Sequence, residues 1–290
     1  MALSLPDLPV ELINHTLNFI PSKKNAIIQV RETCRALALN TTGIFARECF
    51  SSGSWPLTQR TISALTGISK NKFLNPALKE IILFRYTNKY QKSDSRYSMA
   101  KGIDIKELGQ SLQTLTNLRS LHLADFNFIG FEKFVGGLLA TLSLPLITDF
   151  RLSEINIHAS DLRKFIALHS DTIKTVVFNE LNLTTPKKGA WSGLLNSLTQ
   201  LKDVKLIHIH KPIQYHCFVR FEPEDICDPT FERCVDWYTQ YDCGCDSCSD
   251  YAREDHHAVF GDYRLGMDVK KGVWTRGLKL MAAGSRTMEF

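Results

Sequence analysis

Residues 118–128 read Leu-Arg-Ser-Leu-His-Leu-Ala-Asp-Phe-Asn-Phe, and their spacing decides how the chain is read. Leu121 and Leu123 alternate with polar neighbours at the two-residue period of a strand buried on one face, with Leu118 anchoring its approach. The same head recurs as Leu78-x-x-Ile81-x-Leu83, Ile147-x-x-Phe150-x-Leu152, Ile173-x-x-Val176-x-Phe178 and Leu201-x-x-Val204-x-Leu206. The starts are separated by 40, 29, 26 and 28 residues. Three copies extend in frame, as Phe126-Asn127-Phe128, Ile155-Asn156-Ile157 and Leu181-Asn182-Leu183. Apolar residues at helical spacing follow near Phe131–Leu142, Ser160–His169 and Ala190–Leu198. Each copy therefore reads as strand, Asn-containing turn and helix. A one-sided unit of this kind must stack on its neighbours to bury its apolar side.

The period of 26–29 residues resembles that of leucine-rich repeats. The resemblance implies an irregular solenoid, since the copies are uneven and the Asn lies one place later than in the common pattern. The competing reading is an ordinary α/β domain with chance matches. The 17 residues 86–102 (YTNKYQKSDSRYSMAKG) in the longest spacing read as a surface loop. In a solenoid the outward strand positions carry binding. Arg119, His122, Arg151, Lys174 and Lys205 fall there, a set that leans basic and suits an acidic target segment.

Upstream, Pro9 suits the start of a helix, and Glu11 complements its dipole. Leu8, Leu12, Ile13, Leu17 and Ile20 are placed on one stripe, and Pro21 ends the helix. Ser22 is positioned to cap a second helix over Lys23–Leu39. Two such short helices need a partner for their apolar faces. Leu8-Pro9-Val10-Glu11-Leu12, Asn18-Phe19-Ile20-Pro21 and Val30-Arg31-Glu32-Thr33-Cys34-Arg35-Ala36-Leu37 together resemble an F-box of the fungal type. Ile20 stands where Leu is usual, and Thr33 where Val often precedes the Cys. The resemblance covers about 40 residues. It implies docking on the Skp-family adaptor, and through it the cullin, of an SCF-type ubiquitin ligase. Leu8, Pro9, Leu12, Ile13, Val30 and Cys34 would face or support that adaptor. The competing role is an N-terminal cap on the domain behind. Between these regions Ser54-Trp55-Pro56 reads as a turn with a core aromatic, and Thr58 as the cap of a helix carrying Ile62, Leu65 and Ile68.

The net charge of +5 hides a division. Residues 222–262 carry 12 acidic and 2 basic side chains, the remainder 18 and 33. The basic excess lacks the aromatic interleaving of a stacking surface, so no nucleic-acid partner is expected. No run has the 18 or more apolar residues of a membrane helix, and none is expected. The first residues make a poor signal peptide. With that, the eight cysteines imply reduced thiols in cytoplasm or nucleus.

Little in the sequence points to chemistry. GxSxG, HExxH, Walker and GxGxxG motifs are missing, and no enzyme is expected. No cofactor is expected, although Cys243, Cys245 and Cys248, with Cys234 or His256 as the fourth ligand, form a candidate zinc set. Reduced thiols in an acidic loop are the plainer reading of that cluster, and a metal-dependent enzyme built on it the remotest.

The resulting expectation is an α/β (α+β) chain: an F-box-like helical domain over 1–50, a connecting helical segment over 51–75, and irregular leucine-rich repeats over 76–221. An acidic Cys-containing insert (222–262) and a basic tail (263–290) complete it. The function expected is a substrate-recruiting adaptor. The alternative is a stand-alone leucine-rich interaction module with no role in ubiquitination.

Overall fold

The computed structural model describes residues 8–85, 103–127, 131–185, 189–210, 212–214, 217–221, 262–265 and 285–287. Four short helices come first: α1 (Val10–Asn18), α2 (Lys23–Thr33), α3 (Arg35–Asn40) and α4 (Thr42–Cys49). Strands and helices then alternate: β1 (Ser52–Pro56), α5 (Gln59–Lys70), β2 (Glu80–Phe84), α6 (Ile105–Gln113), β3 (Ser120–Phe126), α7 (Phe131–Thr141), β4 (Asp149–Ile157), α8 (Ala159–Leu168), β5 (Thr175–Leu183), α9 (Ala190–Leu198) and β6 (Leu206–His210).

Strands β1 to β6 are all parallel and lie side by side in sequence order. Helices α5 to α9 line up along this sheet, each against the next. The expected F-box helical domain followed by a leucine-rich-repeat solenoid is thereby corrected. The chain builds a six-stranded, all-parallel sheet alternating with helices, an α/β arrangement of the Rossmann-like kind. The physical reason is that each apolar head requires only a strand with one face buried, which parallel strands joined by crossover helices provide. Beyond β6 the chain adds β7 (Ile213–Gln214), parallel to the end of β5, and β8 (Cys217–Phe221), antiparallel to β7. Strand β9 (Asp262–Leu265) pairs antiparallel with β6, and β10 (Ser285–Thr287) with β8.

Four of the heads form the core, and on β6 Ile207 and Ile209 take the place of the expected Val204 and Leu206. Ile81, Leu121, Phe150, Val176 and Ile207 stand in register across five strands, as do Leu83, Leu123, Leu152, Phe178 and Ile209. All ten are essentially fully buried. At the far end of β3, β4 and β5 the backbone takes one left-handed residue each, Asp125 (φ 63°), Glu154 (φ 53°) and Glu180 (φ 51°). The step skips one residue of alternation, as a bulge does, so Phe126, Ile155 and Leu181 turn inward. The Asn residues that follow satisfy the turn: Asn182 Nδ2 donates to Asn156 Oδ1 (2.9 Å), and Asn156 Nδ2 to the Asn127 carbonyl (2.6 Å). His169, buried at the end of α8, ties that helix to the approach to β4. Its Nε2 accepts from the Leu144 N–H (2.9 Å), which leaves Nδ1–H to donate to the Phe165 carbonyl (2.8 Å).

Other local expectations shift. Thr58 caps α5 as expected, accepting from the Thr61 N–H at 3.2 Å. Ser54, Trp55 and Pro56 are strand rather than turn, because β1 pairs along its whole length with β2. Ser22 is left-handed (φ 60°) and its side chain makes no capping bond. The helix expected over Lys23–Leu39 is broken at Cys34, where the backbone is extended and a new helix starts at Arg35. Helix α6 is not among those the spacing marks. The strand expected around Tyr215–Phe221 is β8, and the 86–102 insert lies outside the described residues.

Candidate protein-interaction faces

Two surfaces carry chemistry that the core does not use. The first is the N-terminal helical unit. Ile13, Leu17, Ile27, Leu37 and Ile44 form its own small core, with Leu8, Val30 and Cys34 packed against it. Arg31 fastens the unit. Its guanidinium bonds to the Ala38 carbonyl and to Thr42 Oγ1 (3.3 Å), and lies 4.1 Å from the Phe45 ring centre. Lys23 and Glu48 add an ion pair at 2.7 Å between α2 and α4.

Outside this core, Leu12 is 52% exposed, Phe19 73% and Leu39 66%, with Ile20 and Ile28 also exposed. Helix α1 is thus apolar on two sides. Leu12 and Phe19, seven residues apart, lie along one side, with His15 edge-on to Phe19 at 4.8 Å. Ile13 and Leu17 occupy the buried side. The single stripe expected on α1 is therefore corrected, since adjacent residues lie about 100° apart around a helix. Of the six residues that the resemblance marks, Pro9 and Leu12 are exposed, Leu8, Val30 and Cys34 half-buried, and Ile13 buried. Phe19, Ile28 and Leu39 are not among the adaptor-facing residues that the resemblance marks. The available signal was the surplus of apolar residues over what one helix face can hold.

The second surface is the sheet face away from the core positions. Its middle row reads Ser54, Ile82, His122, Arg151, Val177 and His208 in register from β1 to β6. His122 Nε2 and Ser153 Oγ are 3.0 Å apart. Burial, and then the Arg151 charge, hold the His122 imidazole below its ordinary pKa, partly offset by Asp125. It is therefore neutral at pH 7, a hydrogen-bonding group rather than a charge. Arg151 is exposed. His208 and His210 share this face on β6, with ring centres 6.4 Å apart.

Arg119, Lys174 and Lys205 sit where the chain enters β3, β5 and β6. There the Arg119 N–H donates to the Lys79 carbonyl (2.8 Å), Lys174 to Thr148 (2.8 Å) and Lys205 to Lys174 (2.7 Å). These residues line one end of the sheet, Lys174 and Lys205 on neighbouring strands about 4.8 Å apart in backbone spacing and Arg119 two strands from Lys174. The sequence set thus divides into a rim (Arg119, Lys174, Lys205) and a central pair (His122, Arg151). Ser153, which orients His122, was not foreseen, because their neighbourhood depends on strand register.

Cys234, Cys243, Cys245, Cys248 and His256 lie outside the described residues. Among the described residues no three His, Cys, Asp or Glu side chains converge as a metal site would require. No helix among them is long and apolar enough to cross a membrane. No family model matches the chain, and no curated protein matches it.

Proposed function

We propose that the protein is a two-ended adaptor of an SCF-type ubiquitin ligase, whose N-terminal helical unit docks on a Skp-family adaptor and whose open sheet face receives a target protein. The observation that carries the reading is the two-sided apolar character of α1. Ile13 and Leu17 close the unit's own core, while Leu12 and Phe19 face water. Five large apolar side chains are exposed between Leu12 and Leu39, against three in the rest of the described chain. An apolar set gathered in one small unit is what a docking surface leaves open when its partner is absent. The F-box-like segments Leu8–Leu12, Asn18–Pro21 and Val30–Leu37 coincide with this unit and supply the partner's identity by resemblance.

On this reading ubiquitin transfer belongs to the partners, and the chain works in the cytoplasm or nucleus, where that ligase acts. Co-purification tests it. The intact chain should retain a Skp-family adaptor from a lysate in which a known F-box protein also retains it. Failure of the chain alone would sink the reading.

A further inference from the structure

We propose that His122 and Arg151, at the centre of the open sheet face, seat the carboxylate of an extended target segment whose flanking side chains are apolar. The inference rests on the reading that this face receives a target. Its starting point is an arrangement that the fold itself leaves unbalanced. His122 and Arg151 are directly opposite on neighbouring strands, where side chains are within reach of one another and like charges disfavour each other. Burial first, and then the Arg151 charge, disfavour the charged form of His122.

Among the described residues Arg151 takes part in no ion pair. The nearest acid on its own strand, Asp149, accepts a hydrogen bond from Thr148 Oγ1 at 2.7 Å. An exposed guanidinium beside an imidazole is a ready partner for an incoming carboxylate, since arginine can offer two parallel N–H donors. Ser153, 3.0 Å from His122 Nε2, fixes the side from which the ring can be approached.

The neighbours define the rest of the ligand. Ile82 on β2 and Val177 on β5 flank the pair in the same row. Across the strands the row reads apolar, basic, basic, apolar, which an extended segment with apolar–acidic–apolar spacing complements. The field favours one negative charge over two. Asp125 lies close enough to act on His122, Glu80 and Asp149 stand in the row beside it, and only Arg151 of the pair carries a full charge at neutral pH. A carboxylate fits these terms better than a doubly charged phosphate.

Full-length protein and three capped nonapeptides, acetyl-Ser-Gly-Val-Leu-X-Leu-Val-Gly-Ser-amide with X as Glu, Gln or phosphoserine, provide the test. Binding is followed by NMR on the isotope-labelled chain. The Glu peptide should bind with shifts centred on His122 and Arg151, and the Gln peptide about tenfold more weakly. Arg151→Gln should remove that discrimination and leave the thermal melt as it was. Equal affinity for Glu and Gln, discrimination that survives Arg151→Gln, tighter binding of phosphoserine, or no saturable binding by any peptide would each overturn the proposal. Capture of a Skp-family adaptor is measured in parallel and should be indifferent to Arg151→Gln. Loss of capture by the parent chain, with the peptide result intact, would remove the ligase reading and leave the carboxylate site standing.

Discussion

The N-terminal helical unit and the strand–helix body use apolar residues in opposite ways. The body gathers 43 buried residues into one continuous cluster. Among the described residues, its large exposed apolar side chains are Phe73, Leu146 and Leu168. The unit closes on five buried residues and leaves five large ones in water. A region that must stand alone buries what it can, and the surplus in the unit is the feature on which the proposed docking role rests.

This contrast can be broken at either end, and the largest effect belongs to the body. Phe150 is fully buried, with its ring centre 4.5 Å from that of Phe165. Phe150→Ala should lower unfolding stability by about 4 kcal/mol in urea titrations. Asn156→Ala comes next. It removes the hydrogen bonds that Asn156 makes with the Asn127 carbonyl and the Asn182 amide, at a cost of about 2 kcal/mol by the same measurement. A change below the measurement error would mean that the Asn ladder does not hold the turns together.

The third effect depends on pH. His169 accepts from the Leu144 N–H, so the folded state needs the ring neutral. Burial holds its pKa below the ordinary 6.5, against the opposing pull of the Phe165 carbonyl. Below about pH 6.5 the unfolded chain takes up a proton that the folded chain refuses. Stability from this group is therefore present above that pH and lost as pH falls through the folded value. The melting temperature should drop between pH 7.5 and 5.5, and drop less in His169→Gln. An equal drop in both proteins would assign the acid sensitivity to other groups. The smallest effect on stability is expected in the unit. Leu12→Ser with Phe19→Ser, both exposed, should change it by no more than about 0.5 kcal/mol.

The sequence made the strands legible and the architecture much less so. The first four Leu-x-x-Leu-x-Leu heads each mark a strand covered on one side, β2 to β5. Strand β6 begins only at the last residue of the fifth head and turns Ile207 and Ile209 inward in place of Val204 and Leu206. How successive strand–helix units turn against one another is set by contacts that a single head does not encode. A leucine-rich solenoid and a parallel α/β sheet thus read alike from the heads. The left-handed residues Asp125, Glu154 and Glu180 carry no glycine to announce them. On α1 both apolar sides were present in the sequence, but Leu12 and Ile13 are neighbours, and only the fold decides which one the core takes. His122 and Arg151 were visible as outward positions. Their meeting required the register of β3 with β4, which is a property of the assembled sheet.

The double variant of the unit also tests the central claim most directly, once stability and capture are read on the same sample. If the unit is a docking surface, Leu12→Ser with Phe19→Ser abolishes retention of a Skp-family adaptor while the melt stays within about a degree of the parent. Undiminished capture by the folded variant, or a melt lowered by many degrees, would contradict it and make the two side chains part of the unit's own packing.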